Sequence, residues 1–342
     1  MTESSPPPRA AFDSAFARWR SEITCRPTIG EYPVYDDHLY RWLLEDSGRI
    51  AAYRGAIQRA APRRRVVDLG TGASAPLAIM CAEAGASHVD AIEVMPASAE
   101  AARVHIAKLG LSDRITVHCG PSTEIEPAEP ADLCVSEVIG MIGSAEGAVG
   151  SLLNARRLLK PDGRMLPKRC ITWFAPASVV EAPYRNAACT AVADHYAQRI
   201  KQSVGRDFTL SRIVTFNFPE SHLLAEKHIF EDLRFDTREI AGDAGEVVFD
   251  ITRSGQLGGF VLWIELHVDE EHVICSWRGS SWAPVFLAMA PVAVQPGDRL
   301  NVSLTRFIHR AGENPSYSII GHVARAGRPV AVVEIVSLYA WP

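Results

Sequence analysis

Apolar residues along this chain follow two periods in turn. Between Arg65 and Leu159, short β-branched apolar runs alternate with stretches whose apolar positions recur every three to four residues. Arg65 to Leu69, His88 to Glu93, Ile115 to His118 and Leu133 to Ser136 read as buried strands. Pro76 to Ala84, Ala97 to Leu109 and Gly147 to Leu159 read as helices. Strand and helix in strict succession predict βαβ units and a parallel, doubly wound sheet. The pattern stops at Lys160-Pro-Asp-Gly163. Beyond it, short apolar runs at Ile213 to Phe216, Val247 to Ile251, Gly259 to Leu266, Val273 to Trp277 and Val330 to Leu338 alternate with turn residues, the pattern of an all-β domain. Helical spacing also marks Ala10 to Ile23, through Phe12, Phe16, Trp19 and Ile23, and Tyr40 to Ala60, which ends before Pro62. One further helical stretch, Tyr184 to Ser203, interrupts the β region between Pro183 and Gly205; it reads as an assembly arm or as a helix capping a barrel.

A length of 342 residues exceeds what one core usually serves, so two domains are expected. The expected boundaries are an N-terminal tip and helix over 1–30, an α/β domain over 31–167, and a β domain over 168–342 with its helical arm at about 180–206. A formal net charge of -5 argues against a face built to track nucleic acid. The seven cysteines lie far apart with no metal-ligand spacing, which predicts reduced thiols, no zinc site and a cytoplasmic protein. The N-terminus shows no basic start with an apolar stretch, and nowhere are 18 apolar residues consecutive, so no membrane association is expected.

Two features carry chemistry. Val66-Val-Asp-Leu-Gly-Thr-Gly72 places Gly70 and Gly72 after a strand and before a helix, where backbone approaches a cofactor and a Cβ would obstruct it. Ser74 occupies the third glycine position, an imperfect match to a diphosphate-binding turn. Glu93 ends the second strand 21 residues beyond Gly72, the distance at which a carboxylate accepts hydrogen bonds from both ribose hydroxyls. NAD and S-adenosylmethionine both fit this arrangement. Glu137 and Glu146 are the second feature, nine positions apart on the loop that leaves the strand ending at Ser136. Ligands of open α/β sheets bind at that end of a strand, and two carboxylates there make a fork that matches a guanidinium. Read by itself, Glu146 could instead cap the helix beginning near Gly147.

Several motifs together resemble the protein arginine N-methyltransferase family over nearly all of the chain after Pro27. Asp46-Ser-Gly-Arg49 followed by Tyr53-Arg54 resembles its pre-sheet helix, Val66 to Gly72 its first-strand motif, and Ala91-Ile-Glu93-Val its ribose-binding strand end. Leu111-Ser-Asp-Arg-Ile115, the Glu137/Glu146 loop, Leu159 to Pro167 and Ser281-Trp282-Ala-Pro-Val-Phe286 are similar to its third-strand entry, double-Glu loop, passage into the barrel and Trp-containing loop. The resemblance implies a Rossmann-like class I methyltransferase domain followed by an antiparallel β-barrel with a helical dimerisation arm. It also implies S-adenosylmethionine as cofactor and a homodimer. Arg49 would pair with the methionine carboxylate, Asp68, Gly70 and Gly72 would line the cofactor, Glu93 would hold the ribose, and Thr123 or Glu124 would lie near the adenine. Glu137 and Glu146 would grip the substrate guanidinium, with Trp282 as its wall, although an aromatic filling the domain junction is an equal reading of Trp282.

The chain departs from that family at three places. Ser281 stands where the family carries a His, so Asp46 is expected to lack its partner. Ala148 and Leu43 replace bulky residues, and Gly143, Gly147 and Ala148 resemble the monomethylating branch. Tyr32 and Tyr35 match the family's paired aromatics only loosely. The expectation is an arginine N-methyltransferase acting on free L-arginine or a small guanidine, mainly by monomethylation. A peptide or protein arginine, an unrelated small amine, a catalytically silent cofactor-binding scaffold and a nicotinamide dehydrogenase are the alternatives.

Overall fold

A computed structural model describes residues 24–28 as backbone, together with 44–178, 195, 198, 202, 212–237, 245–308 and 314–337. Ala10 to Ile23, Tyr32, Tyr35 and Leu43 lie outside these residues, as does the expected arm at 180–206 apart from the helical positions His195, Gln198 and Gln202.

Strand β1 (Thr24–Thr28), which the apolar pattern had not marked, belongs to the second domain and is met again there. The first domain begins with α1 (Ser47–Ala60). The structure interrupts the expected helical run between Leu44, itself helical, and Ser47, because Asp46 leaves helical geometry (φ -73, ψ 86) and its side chain accepts the Arg49 amide at 2.9 Å. An aspartate satisfying an orphan amide in this way defines a helix start. Then follow β2 (Arg65–Leu69), α2 (Pro76–Glu83), β3 (His88–Glu93), α3 (Pro96–Lys108), β4 (Ile115–Cys119), β5 (Ala131–Ser136), α4 (Ala148–Ala155) and β6 (Leu159–Leu166).

The five strands pair in parallel in the order β4-β3-β2-β5-β6. The expected βαβ succession therefore holds, with two corrections at its end. The last helix stops at Ala155, where a 3-10 turn takes over, and the α/β pattern does not stop at Lys160. Lys160 to Gly163 instead lie inside β6, where Ala131 pairs with Leu159 and Leu133 already pairs with Arg164, so the intervening residues bulge out of register. Proline is tolerated there because β6 is an edge strand. The chain runs outward from β2 through β3 to β4 and returns to β5 on the other side of β2, which makes the β2/β5 boundary the topological switch point. Leu69 and Ser136 are paired at that boundary, so Gly70 and Glu137 emerge side by side.

The second domain comprises β1, β7 (Arg169–Ser178), β8 (Arg212–Phe216), β9 (His228–Arg234), β10 (Glu246–Asp250), β11 (Gly255–His267), β12 (Val273–Cys275), β13 (Val285–Val294), β14 (Arg299–Phe307), β15 (Ser316–Arg325) and β16 (Arg328–Ser337). It is antiparallel, as expected. Its described strands form two sheets, β1-β8-β13-β11-β7-β9 with β12 on β11, and β10-β14-β15-β16. Phe174, Phe260 and Leu287 of the first sheet pack with Phe249, Leu304, Tyr317 and Ile335 of the second. Phe174 meets Phe249 edge-on with 5.0 Å between ring centroids, a favoured aromatic geometry.

The domains share apolar contact: Cys170, Leu233, Ile264, Leu266, Val268, Ile274 and Trp282 of the second belong to the same buried cluster as the α/β core. Arg59 on α1 reaches across to Asp269, and Gly55 lets the helix come close, since a Cβ there would stand 2.2 Å from His272 Nε2.

Gly259 sits at the bulge of β11, with φ at +153 and its missing Cβ only 2.1 Å from the Leu287 carbonyl oxygen. Gly259→Ala should therefore destabilise the protein by roughly 3 kcal/mol through strain and overpacking. A urea midpoint equal to the wild-type value would refute that account.

Candidate active site

The turn after β2 is built to let something approach its backbone. Gly70 and Gly72 both adopt left-handed φ, +71 and +67, and the amides of Gly70 and Thr71 donate to the Ile92 carbonyl at 2.9 and 3.1 Å. Only glycine takes such φ values without strain. Ala75 must adopt φ +46 without being glycine, immediately after Ser74 and before Pro76 opens α2. Glu93 is buried, and its two oxygens accept the Gly72 and Met95 amides, each at 2.9 Å. A carboxylate has about four lone-pair sites, so it retains capacity for further donors. Thr123 and Glu124 are exposed in the turn after β4, which the Gly120 amide ties to the Glu93 carbonyl at 3.0 Å. Val94 and Met95, not singled out from sequence, present exposed apolar side chains directly after Glu93.

Asp68 lies beneath this turn, fully buried. Thr71 Oγ1 donates to its Oδ2 at 2.6 Å, whereas Oδ1 is buried without a hydrogen-bond partner. Burial pushes its carboxyl pKa up to about 7, against the opposing pull of the Thr71 hydroxyl. A glycine cradle, a buried acid with an unpartnered oxygen, and an acid with an apolar neighbour at the next strand end fit a nucleoside ligand that carries an ammonium group.

The acid loop follows β5. Gly140 allows it to fold back on itself: a Cβ at 140 would stand 3.0 Å from the Ile142 carbonyl oxygen and 3.2 Å from Glu146 Cγ. Glu146 thus packs against a residue three positions after Glu137, and both are partly buried. The Ser136 hydroxyl donates to the Leu69 carbonyl at 3.1 Å, and the Tyr53 hydroxyl to the Ser136 carbonyl at 3.0 Å, which pins the root of the loop to β2 and to α1.

Arg49, Asp46, Ser281 and Trp282 close the site from the domain junction. The Arg49 guanidinium pairs with Glu137, donates to Ser281 Oγ at 3.1 Å, and lies 4.4 Å from the Trp282 ring centroid. Trp282 Nε1 donates to the Ile139 carbonyl at 2.7 Å, so this indole both stacks on a guanidinium and anchors the acid loop. The expectation that Asp46 lacks a partner is corrected. Its Oδ2 accepts the backbone amide of Ser281, the residue that replaces the family's His, while Oδ1 caps α1. A backbone donor has taken the place of a side-chain one.

Two cavities of about 790 and 560 Å³ flank the loop around Ser280, and Asp46, Gly48, Trp277 and Arg278 line both. Sequence reasoning missed Glu231 and Tyr317, which hold Ser144 of the acid loop from the second domain, and Thr172, which holds Gly143. No local signal marks them, because their partners lie at least 29 positions away. Among the described residues, no group of three or more His, Cys, Asp or Glu could hold a metal ion, and no helix is long and apolar enough to cross a membrane.

With its pKa raised in the fold, Asp68 favours the proton, and the stability this confers is complete below its unfolded value near 3.8 and is lost as pH rises through about 7. Asp68→Asn, which cannot ionise, should gain on the wild type over that interval by up to a few kcal/mol. Calorimetric melting across the interval measures the difference; one independent of pH would mean that Asp68 ionises in the fold as it does in water.

Residues 66–163 match the family model for a methyltransferase domain. An arginine N(omega)-methyltransferase of Streptomyces achromogenes subsp. streptozoticus is 32% identical over 285 residues, covering 77% of this chain and 75% of that protein. A probable protein arginine N-methyltransferase 6 of Arabidopsis thaliana is 33% identical over 181 residues, 52% of this chain and 38% of its own length. The fold matches the crystal structure of Arabidopsis thaliana protein arginine methyltransferase 10 with a TM-score of 0.70 at 21% identity, covering 94% of this chain and 99% of that one. It also matches the Trypanosoma brucei PRMT1 enzyme-prozyme complex with AdoHcy, with a TM-score of 0.69 at 18% identity, covering 86% and 96%. Sequence likeness across both domains and a cradle suited to an adenosyl ligand lead to one conclusion: the chain belongs to the arginine N-methyltransferase family and is an S-adenosylmethionine-dependent enzyme.

Proposed function

We propose that the enzyme methylates a guanidino nitrogen of free L-arginine or a small guanidine, mainly once. The observation that carries the reading is the emergence of the acid loop beside the glycine cradle at the β2/β5 switch point. Free arginine is favoured by the likeness to the Streptomyces arginine N(omega)-methyltransferase. Single transfer rests on Gly143, Gly147 and Ala148, which resemble the monomethylating branch of the family.

S-adenosylmethionine supplies an electrophilic methyl on a sulfonium sulfur. A guanidinium has no free lone pair at neutral pH and loses a proton only above pH 12, so Glu137 and Glu146 act by gripping separate N–H groups and turning one nitrogen toward the methyl. The methyl would leave the sulfonium sulfur, which keeps the electron pair as a neutral thioether, as it bonds to that nitrogen; the nitrogen then becomes acidic, and one of the two carboxylates would take its proton. Trp282 offers its ring face to the cation, as it does to Arg49. Arg49 has five donors, enough to serve Glu137, Ser281 and the cofactor carboxylate together. Asp68 accepts from the cofactor ammonium and Glu93 from the ribose; Thr123, Glu124 and Met95 border the adenine.

A peptide arginine is the second reading. The larger cavity, about 790 Å³, supports it by size and not by charge, since Asp46, Glu220, Glu226 and Glu265 in its lining are matched by Arg49, Lys227, Arg253 and Arg278. A homodimer joined through the arm expected from the sequence at about 180–206 and a cytoplasmic location accompany the proposal.

Labelled S-adenosylmethionine offered with L-arginine and, separately, with a Gly/Arg-rich peptide decides between the readings by product mass. Monomethylarginine is the expected product, and label in the peptide alone would establish the second reading. Glu137→Gln should lower transfer at least about 100-fold while S-adenosylhomocysteine affinity stays within about twofold. Wild-type turnover in that variant would remove the acid loop from the chemistry.

A further inference from the structure

Glu231 lies in β9 with only 1% of its surface exposed, a position where an acid has no solvent to face. It accepts the Ser144 amide at 3.0 Å, the Ser144 hydroxyl at 2.7 Å and the Thr172 hydroxyl at 2.8 Å. Arg306 Nη1 approaches it to 3.7 Å. Thr172 passes the arrangement on by accepting the Gly143 amide at 3.0 Å, and the Tyr317 hydroxyl lies 2.8 Å from Ser144 Oγ. Two successive amides of the acid loop are thus held from the other domain, by groups on β7 and β9, and a group on β15 meets the Ser144 hydroxyl. Burial raises the Glu231 carboxyl pKa, while the Ser144 and Thr172 donors and Arg306 work against it.

Ser144 is the pivot of the turn that carries Glu146. Its carbonyl accepts the Gly147 amide at 3.2 Å, and the Ala145 amide closes the same turn on the Ile142 carbonyl at 2.8 Å. Gly143 makes the approach of Glu231 feasible, since a Cβ there would stand 2.8 Å from Cys170 Sγ and 3.2 Å from Glu231 Oε1. Apolar packing would secure a loop without the desolvation cost of a buried carboxylate. Hydrogen bonds to named amides do something packing does not: they set the direction of the backbone.

We propose that Glu231 is a positioning residue for methyl transfer, fixing the turn that carries Glu146 so that both acids of the loop meet the guanidinium in one geometry. It touches no reacting atom and acts through Ser144. The proposal rests on the reading of Glu137 and Glu146 as the guanidinium grip, so one measurement is independent of activity.

The full-length wild type, Glu231→Ala, Glu231→Gln and Ser144→Ala are compared, with Arg103→Ala on the exposed face of α3 as control. Three properties are measured: S-adenosylhomocysteine affinity, kcat and KM for the acceptor, and hydrogen–deuterium exchange of the segment 140–150. Glu231→Ala should lower kcat about 100-fold with acceptor KM changed no more than about threefold and cofactor affinity intact. It should also speed exchange in the segment while the β2 and β3 amides stay protected. Glu231→Gln, whose amide oxygen still accepts the Ser144 amide, should recover about tenfold of the loss. If Glu231→Ala does not fold, Ser144→Ala decides by the same measurements. Wild-type kcat in either folded variant, or slowed transfer with unchanged exchange in the segment, overturns the proposal. If the wild type methylates no guanidine, the reading of the acid loop fails separately, and exchange alone decides whether Glu231 holds the turn.

Discussion

A guanidinium held by an acid, a hydroxyl and an indole face joins the two halves of this enzyme. Arg49 belongs to α1, Glu137 to the loop after β5, and Ser281 and Trp282 to the antiparallel domain. That convergence sets where Glu137 stands between the sheet and the second domain, while Thr172 and Glu231 hold the far turn of the same loop. Trp282 reinforces it by donating to Ile139 within the loop, and Tyr53 by donating to Ser136 at its root. Partly buried ion pairs of this kind contribute little net stability when desolvation is counted, so their value here lies in fixing one arrangement.

The switch point supplies the other half of the geometry. A parallel sheet that reverses its order at β2 and β5 leaves a crevice at the strand ends, and the glycine turn and the acid loop stand on its rim. Gly70 and Gly72 bring backbone to it, Glu93 tethers the turn through two amides, and Asp68 waits beneath with one oxygen unpartnered. Glu137 stands one residue past the strand that completes the crevice. The glycine turn and the acid loop, the sites proposed for methyl donor and acceptor, are neighbours because two paired strands end together.

What was legible in the sequence was local. The alternation of β-branched runs with helical spacing marked β2 to β5 closely, and glycines after a strand marked the cradle. β6 was illegible because Lys160-Pro-Asp-Gly163 has turn chemistry, and only its edge position lets it stand inside a strand. The break before α1 was missed because apolar spacing continues through Asp46, while the cap depends on a side chain turning back to the Arg49 amide. Glu231 was invisible for another reason: in His228-Ile-Phe-Glu-Asp-Leu-Arg234 it is one of two adjacent acids that nothing local tells apart, and its partner Ser144 is 87 positions away.

The contact between Asp46 and residue 281 also sets which substitutions that position tolerates. Since the donor is the peptide N–H, the bond is blind to the side chain attached, and every amino acid except proline can supply it. The side chain at 281 is left for a second contact, its hydroxyl accepting from Arg49, and the bond to Asp46 needs no imidazole because the main chain supplies its donor.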